Sequence, residues 1–184
     1  GAAVRFAEFE PATGGLSVDN VREVLSERTR LVAVTRASNA LGTVVDVPAI
    51  SAAAREVGAL VYVDAVHYAP HRAIDVRAWD CDYLVCSAYK FFGPHLGMLW
   101  GRREQLESLP AHRLRPVADR IPDRWMTGTQ NHEGIAGTVA AIEYIAEFGK
   151  DSGRGDRTRR EALIAGFETI RRYESGLASR LLET

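Results

Sequence analysis

The chain has 184 residues, of which 46% are hydrophobic and 26% charged, and its net charge at pH 7 is −1. This composition is typical of a globular domain, and the balanced charge provides no basic field for nucleic acid. No apolar run approaches the roughly 20 residues of a membrane-spanning helix, and no basic stretch followed by an apolar run marks a signal peptide. We therefore expect a cytoplasmic protein with neither a membrane nor a nucleic acid as its partner.

Lysine is scarce in this sequence. Among the 23 basic residues only Lys90 and Lys150 are lysines, and the others are arginines. Codon usage accounts for Lys150, beside a predicted helix end, whereas Lys90 follows a predicted buried strand. The two cysteines, Cys81 and Cys86, lie in or beside one apolar segment, which predicts reduced, packed thiols rather than a disulfide framework or a zinc site.

Short apolar runs alternate with helical patterns along the first part of the chain. Period-two alternation predicts a strand at 4–9, Ser17 is a predicted N-cap of a first helix, and Asp46 with Pro48 predicts the start of a second. Continuous apolar runs predict buried strands. These strands are predicted at 31–35, 60–64, 83–88 and 97–101, with a helical turn around Ala78 and Trp79.

The remainder of the chain is predicted to be irregular and then helical. One or two helical turns are expected within 102–109, and the proline-containing segment 110–125 is expected to be irregular. Two helices are predicted at 132–148 and 156–182, separated by a flexible segment at 150–155.

The alternation of strands and helices predicts an α/β fold. Parallel strands joined by right-handed crossovers, with helices on both faces, form a three-layer α/β/α sandwich with a mainly parallel sheet. Such sheets bind ligands at the carboxyl ends of their strands. Asn39, Asp64 and Lys90 are spaced by 25 and then 26 residues, each at or just past a predicted strand end. We therefore expect the three side chains to converge on one rim.

Lys90 lies in a setting that favours covalent chemistry. A lysine after a buried strand, flanked by Tyr89 and Phe91, is expected to be partly desolvated, which favours the neutral, nucleophilic amine. Schiff-base chemistry requires that form, and pyridoxal phosphate (PLP) is the cofactor that most often uses such a lysine. Alternatively, a lysine at a strand end simply extends into solvent.

Three further residues match the needs of that cofactor. A carboxylate such as Asp64 could keep the pyridine nitrogen protonated, Asn39 could hydrogen-bond the 3-oxygen of the ring, and Ser87 could reach the phosphate. Taken singly, a strand-end Asp is as well explained as a cap or turn former, and a loop Asn by turn chemistry. The shared rim, the regular spacing and the lysine scarcity together favour function.

Four segments carry a resemblance to a known family. The chain resembles the class V aminotransferase group of fold-type I PLP enzymes, in particular the cysteine desulfurase and selenocysteine lyase branch, over residues 31–149. The order and spacing of the motifs make the resemblance specific. The matching segments are ASNALGTVVDV (37–47), VYVDAVHYAPH (61–71), CDYLVCSAYKFFGPHLGMLWG (81–101) and TGTQNHEGIAG (127–137).

The resemblance implies roles for individual residues around the ring of the cofactor. It implies that Lys90 forms the internal aldimine and then shuttles the proton of the substrate alpha carbon. Asp64 would pair with the pyridinium, and Asn39 would contact the 3-oxygen and the substrate side. His67 occupies a position where the family commonly has Gln or His near that same oxygen.

The resemblance also implies how the phosphate is held. Ser87 matches a phosphate-binding serine, and Thr129 matches a threonine that reaches the phosphate of the other subunit's cofactor, which implies a homodimer. Tyr89 departs from the family, because cysteine desulfurases usually have His before the lysine. A tyrosine hydroxyl could still donate one hydrogen bond to the phosphate but brings no positive charge. An amino-acid substrate and a sulfur-acceptor protein are the other implied partners.

Length sets a limit on this interpretation. Complete members of the family have about 400 residues, well above the usual single domain, so we interpret the chain as a fragment that is inactive alone. Residues 1–149 would be part of the PLP-binding large domain, and 150–184 a helical linker toward an absent or truncated small domain. Neither Cys81 nor Cys86 matches the loop that carries the persulfide-forming cysteine of a desulfurase.

The function predicted from the sequence is that of a PLP-dependent lyase or transferase, cysteine desulfurase-like when full length. Another class V enzyme, such as an aminotransferase, an epimerase or a selenocysteine lyase, is an alternative. So are a non-catalytic binding or scaffold module and a nicotinamide-binding Rossmann domain, although Gly14-Gly15 is a poor match to the required glycine-rich turn.

Two other kinds of site were weighed. The histidines His67, His71 and His95 could suggest a metal site, but no Cys or carboxylate completes a ligand set. A solvated or dimer-facing segment is a better interpretation of the arginines at 113–124 than an anion-binding patch, because aspartates interleave with them. These arginines are Arg113, Arg115, Arg120 and Arg124, and the aspartates are Asp119 and Asp123.

Overall fold

The computed structural model describes residues 1–150 and 158–183, and a four-stranded sheet is its centre. The strands are β1 (Leu31–Thr35), β2 (Leu60–Asp64), β3 (Tyr83–Ser87) and β4 (Gly97–Gly101), in the order β1-β2-β3-β4. The first three are parallel, and β4 is antiparallel to β3. A short loop joins β3 to β4, and a connection of that length permits only antiparallel pairing. The predicted α/β fold with a mainly parallel sheet is confirmed.

Helices connect and flank the strands. Ser17 caps the first helix in a capping box with Asn20, and the Asp46 carboxylate accepts a hydrogen bond from the Ala49 amide at 3.2 Å at the start of the second. Gly58, with φ +71°, follows the end of that helix, where a left-handed residue is favoured. The helices are α1 (Val18–Arg22), α2 (Val47–Glu56), α3 (Val76–Trp79), α4 (Arg103–Ser108), α5 (His132–Lys150) and α6 (Arg159–Leu182), with 3₁₀ turns at Ala88–Lys90 and Asp123–Trp125.

The main core lies on one face of the sheet. Val61 and Val63 of β2 are fully buried in a cluster with Val47 and Ile50 of α2. The opposite face is covered only in part, by α4, where the side chain of Leu106 lies against Gly101. Two apolar residues of that face remain open: Leu31 is 52% exposed and Leu99 is 53% exposed. Among the described residues, helices therefore cover most of one face, where Trp100 of β4 remains 37% exposed, and part of the other.

The last two helices pack closely on each other. Gly166 of α6 lies against Ile145 of α5, and Gly149 of α5 lies against Ala162 of α6, so closely that a Cβ on either glycine would overlap main-chain atoms. The order of these contacts makes the pair antiparallel. Helix α6 begins at Arg159 rather than 156, with Thr158 as its cap. The predicted flexible segment lies, from 151 onward, outside the described residues.

The strand predicted at 4–9 is wrong. These residues have no regular secondary structure, and Val4, Phe6 and Phe9 are largely exposed. A strand requires a neighbour for its main-chain hydrogen bonds, and none of the four strands pairs with this segment. No helix of the described residues is long and apolar enough to cross a membrane.

Candidate functional site

The register of the parallel strands sets the rim where ligands would bind. Thr35 of β1, Asp64 of β2 and Val85 of β3 lie side by side. The Arg36 amide donates to the Asp64 carbonyl at 2.8 Å, and the Ala65 amide donates to the Val85 carbonyl at 2.9 Å. Asp64 therefore stands at the carboxyl end of the sheet, as the sequence predicts.

Lys90 ends a 3₁₀ turn that follows β3. Its side chain is exposed, and Nζ lies 5.1 Å from the centroid of the Tyr89 ring, a cation–π arrangement. Within the described part of the chain, no ion pair engages the ammonium group. The expected partial desolvation is not observed in this chain, because Phe91 is buried beside Ile145 while Lys90 faces solvent.

A tight turn fixes the backbone around Lys90. The amides of Phe91 and Gly93 both donate to the Ala88 carbonyl at 2.9 Å. A Cβ on Gly93 would lie 2.9 Å from the Ala88 Cβ and carbonyl oxygen, so only glycine fits there. Between them Phe92 adopts φ +67°, and its ring meets that of Tyr144 edge to face at 5.6 Å. The Phe-Gly-Pro run after the lysine predicts a Gly/Pro loop at 91–97, but not the positive φ of Phe92 or the close approach of Gly93 to Ala88.

The Asp64 carboxylate is open to solvent in this chain. It is exposed, and one carboxylate oxygen accepts a hydrogen bond from the Val66 amide at 2.9 Å. Its other oxygen has no hydrogen-bond partner among the residues the structure describes. Asp64 is in register with Thr35 of β1 and, through Val85 of β3, with Leu99 of β4. The side chains of these residues lie on the partly covered face of the sheet, so Asp64 is exposed.

Asn39 lies at the tip of a closed loop. A bridge between Ala37 and Val44 closes the base, and the Ser38 hydroxyl accepts hydrogen bonds from the amides of Ala40 and Leu41 at 3.3 and 3.1 Å. Asn39 is exposed, and its side-chain amide makes no hydrogen bond within the described ranges. The loop therefore presents a free amide donor and acceptor beyond β1.

Ser87 and Tyr89 stand between the strand end and Lys90. Ser87 pairs with Gly97 across the β3–β4 ladder, and its hydroxyl does not cap the 3₁₀ turn. Tyr89 is exposed and stacks on His95, with ring centroids 4.8 Å apart and planes inclined by 12°. Both hydroxyl groups are therefore available beside the Lys90 turn.

The three histidines considered as metal ligands contact aromatic rings and a carboxylate. His67 and His71 meet edge to face at 5.6 Å, and His71 Nδ1 lies 2.9 Å from a carboxylate oxygen of Glu174 on α6. His95 is engaged with Tyr89 instead. In the described segments, no three His, Cys, Asp or Glu side chains are grouped as metal ligands.

Thr129 belongs to the loop that precedes α5. It is exposed in the loop before α5, between Gly128 at φ +79° and Gln130, whose side-chain amide donates to the Gly128 carbonyl at 3.1 Å. No hydrogen bond joins Thr129 to the Lys90 turn in the described part of this single chain.

The two thiols are packing residues, as predicted. Cys81 is buried and Cys86 half-buried, and neither forms a disulfide. Burial raises the pKa of both thiols, so neither forms a reactive thiolate readily.

Three of the four arginines at 113–124 pair with the two aspartates of the same segment. Arg113 and Arg124 both pair with Asp119, at 3.2 and 3.3 Å, and Arg120 pairs with Asp123 at 2.6 Å. This pairing agrees with a solvated segment rather than an anion-binding patch.

Comparison with known proteins identifies the family. The aminotransferase class V family model matches residues 1–178. A cysteine desulfurase of Pectobacterium atrosepticum is 36% identical over 92% of this chain and 41% of its own length. One from Salmonella newport is 35% identical over 82% of this chain and 40% of its own length. The chain thus spans about two fifths of these relatives.

Solved structures show the same fold. The apo cysteine desulfurase of Thermococcus onnurineus superposes on 97% of this chain and 43% of its own, with a TM-score of 0.79 and 26% identity. The cysteine desulfurase CsdA of Escherichia coli matches 71% of this chain and 36% of its own, with a TM-score of 0.63 and 30% identity. The match to the family model, which extends over nearly the whole chain, shows that this protein belongs to the class V aminotransferase family.

Proposed function

We propose that the full-length protein is a PLP-dependent enzyme that acts on an amino acid with cysteine desulfurase-like chemistry. One observation carries the proposal. Val85 of β3 is in register with Asp64 of β2, and the exposed Lys90 lies five residues after Val85, in the turn that follows β3. Family membership and the cysteine desulfurases among its relatives support it.

The unengaged polar groups of the rim fit the cofactor. PLP offers an aldehyde, a ring oxygen, a ring nitrogen and a phosphate, and supplies an electron sink for the substrate alpha carbon when its ring nitrogen is protonated. Among the described residues, the groups with unused hydrogen-bonding capacity are an amine (Lys90), an amide (Asn39), one carboxylate oxygen of Asp64, whose other oxygen accepts from the Val66 amide, and a hydroxyl (Ser87). Each has the complementary hydrogen-bonding or nucleophilic character.

Lys90 and Asp64 would do most of the chemical work. The Lys90 amine would hold the cofactor covalently through its aldehyde group and would move a proton at the substrate alpha carbon. The carboxylate of Asp64 would hold a proton on the ring nitrogen, and the Val66 amide orients that carboxylate at 2.9 Å. Asn39 and His67 would contact the ring oxygen from the two flanking loops.

The phosphate would be held from the β3 side and by a second subunit. Ser87 and Tyr89 supply hydroxyl donors next to Lys90, and we propose that Thr129 of each subunit reaches the cofactor of the other in a homodimer. Residues 1–149 would form part of the cofactor domain and 150–184 a linker toward a small domain. A sulfur-acceptor protein and a cytoplasmic location complete the proposal.

An absorbance titration of the full-length protein with PLP tests the lysine assignment. The wild type should develop the visible band of the lysine-bound cofactor, and Lys90→Ala should not. Lys150→Ala is a matched control, because it removes the second lysine of the 184 residues of this chain, which pairs with Glu147 at 2.6 Å on α5. A band that is unchanged in Lys90→Ala would contradict the proposal.

Turnover measurements test the substrate class. Cysteine should yield alanine and sulfide in the presence of a thiol reductant, and analytical sedimentation should show a dimer. If cofactor binds but no amino acid is turned over or changes the spectrum, the protein is a binding module instead. An active monomer would refute the role of Thr129.

A further inference from the structure

Arg36 is a largely enclosed arginine that the proposed chemistry does not use. It directly follows β1, and its guanidinium carbon lies 5.1 Å from the centroid of the Tyr68 ring and 5.0 Å from that of Trp79. The two rings meet edge to face at 5.2 Å, so the cation occupies the corner between them. Its Nη1 donates to the Val45 carbonyl.

The charge of Arg36 has no acidic partner in the described ranges. Its Nε atom is buried and has no hydrogen-bond partner there either. Enclosing a cation with an unsatisfied N–H group costs stability, and an apolar side chain of similar length would avoid that cost. Burial alone therefore does not explain an arginine at position 36. The contacts of its side chain indicate a different role.

Arg36 joins the base of the Asn39 loop to the end of β2. Its amide donates to the Asp64 carbonyl at 2.8 Å, and its carbonyl accepts from the Val45 amide at 3.0 Å. The Arg36 side chain donates to the carbonyl of the same residue, Val45. Both ends of the 37–44 segment that carries Asn39 are thus held by one residue, which is itself bonded to Asp64.

The aromatic contacts extend the connection to a second loop. Tyr68 follows His67 directly, and its amide donates to the Ala65 carbonyl at 3.1 Å in the turn after β2. A planar guanidinium can lie against two rings and still donate to a carbonyl, whereas an ammonium cannot match that geometry. The side chain therefore sets the Asn39 loop against the loop of His67.

We infer that Arg36 is a positioning residue that holds the Asn39 loop in register with Asp64 and His67. It touches neither cofactor nor substrate and acts through the placement of Asn39. The part of this inference that is tested by PLP binding rests on the proposed function. Its effect on the loop itself can be measured without cofactor.

A double-mutant cycle in the full-length protein tests the inference. Arg36→Met keeps the length of the side chain but removes the donors, and Asn39→Ala removes the amide. Each should weaken PLP binding, measured by absorbance titration, by a factor on the order of 10 to 100. Because Arg36 acts through Asn39, the double variant should bind PLP no more weakly than whichever single variant has the lower affinity for PLP. Additive losses, or an unchanged affinity in Arg36→Met, would overturn the inference.

Hydrogen exchange separates positioning from general stability. In the apo protein, Arg36→Lys should accelerate exchange of the Gly42 and Val45 amides, whose acceptors are Ser38 and Arg36, while core amides of β2 keep their rates. Arg30→Met is the matched control, since Arg30 directly precedes β1 and its side chain, within the described ranges, bonds only the local carbonyls of Glu27 and Thr29. It should leave the loop amides unchanged.

The outcomes distinguish the two proposals. If the wild type binds no PLP, the proposed function fails, and the exchange of the loop amides still decides the role of Arg36. If Arg36→Met does not fold, Arg36→Lys replaces it in the cycle. Unchanged loop exchange in Arg36→Lys would refute positioning by Arg36 whether or not the cofactor binds.

Discussion

The Asp82 carboxylate accepts a hydrogen bond from the main-chain amide of Val61 at 2.8 Å, which joins the start of β3 to β2. Asp82 is only 1% exposed, and its other oxygen lies 3.3 Å from Arg55 of α2 and 3.2 Å from Arg102 after β4. One buried side chain thus connects three strands and a helix. The charge is compensated by two guanidinium groups, as burial of a carboxylate requires.

Replacement of Asp82 by alanine should be strongly destabilising. The change leaves the buried Val61 amide without its acceptor and removes one of the two carboxylates that Arg55 and Arg102 share, the other being that of Asp80. We expect a loss of about 2–3 kcal/mol in the free energy of unfolding. Asp82→Asn keeps one acceptor oxygen for the Val61 amide and should lose less. Urea denaturation of the three proteins measures the difference, and a loss below about 1 kcal/mol in Asp82→Ala would contradict the assignment.

Two glycines of α6 should respond in opposite ways to alanine. Gly166 lies against the Ile145 carbonyl of α5, so Gly166→Ala forces the helices apart and should cost about 1–3 kcal/mol. Gly176 has nothing within 4 Å of an added Cβ. Gly176→Ala should therefore stabilise the helix by about 0.5–1 kcal/mol. Thermal unfolding that moves both variants in the same direction would contradict the close packing of α5 and α6.

The turn after Lys90 stores backbone strain at Phe92. Phe92→Ala and Phe92→Gly both remove the ring contact with Tyr144, but only glycine adopts φ +67° without cost. Phe92→Gly should therefore be more stable than Phe92→Ala by about 1 kcal/mol. Equal stabilities in urea would mean that the turn relaxes once the ring is removed.

The sequence was informative wherever one local pattern decides the structure. The apolar runs at 31–35 and 60–64 predict β1 and β2 with their observed bounds, because continuous apolar runs are typical of strands in a parallel sheet. The expected burial of β1 is not observed, since Val34 is its one buried residue. Period-two alternation at 4–9 failed, since alternation alone provides no partner strand. The direction of β4 also depends on the length of the connection rather than on its own residues.

The candidate site was predictable in its residues but not in its environment. Strand spacing correctly places Asp64 at the end of β2, and the roles of Lys90 and Asn39 stay predictions. The solvent exposure of Asp64 depends on which elements cover the second face of the sheet. No local sequence pattern predicts that coverage. The strained Phe92 and the enclosed Arg36 were missed, because positive φ and cation–π contacts arise from tertiary packing.

Stability should depend on acid through Asp80. A hydrogen bond from Arg55 at 2.7 Å, with a further contribution from Arg102, holds the pKa of Asp80 below its ordinary value of 3.8. The carboxylate therefore contributes stability above that value, and the contribution is lost as the pH falls through the lower folded-state pKa. Because its side chain is 52% exposed, we expect only about 0.5 kcal/mol.

Asp80→Asn isolates this charge. Asp80 adopts φ 49°, and asparagine tolerates the left-handed region as well as aspartate does. The variant should be less stable than the wild type at neutral pH and equal to it well below pH 3.8. Glu8→Gln is the control, since Glu8 is exposed and has no ion pair in the described part of the chain. A deficit of Asp80→Asn that persists in strong acid would exclude a charge effect.

Asp64→Asn tests the proposed chemistry most directly. Asparagine retains an oxygen that can accept from the Val66 amide, as Asp64 does at 2.9 Å, so the fold and the turn after β2 should persist. The variant has no negative charge to hold a proton on a pyridine nitrogen, and cysteine turnover by the full-length protein should fall on the order of a hundredfold or more. Because the Lys90 amine is unaffected, PLP should still bind, with an altered visible spectrum. Near-normal turnover in a folded variant would refute the role of Asp64, whereas loss of both turnover and PLP binding would make Asp64 a residue that holds the cofactor rather than one that tunes it.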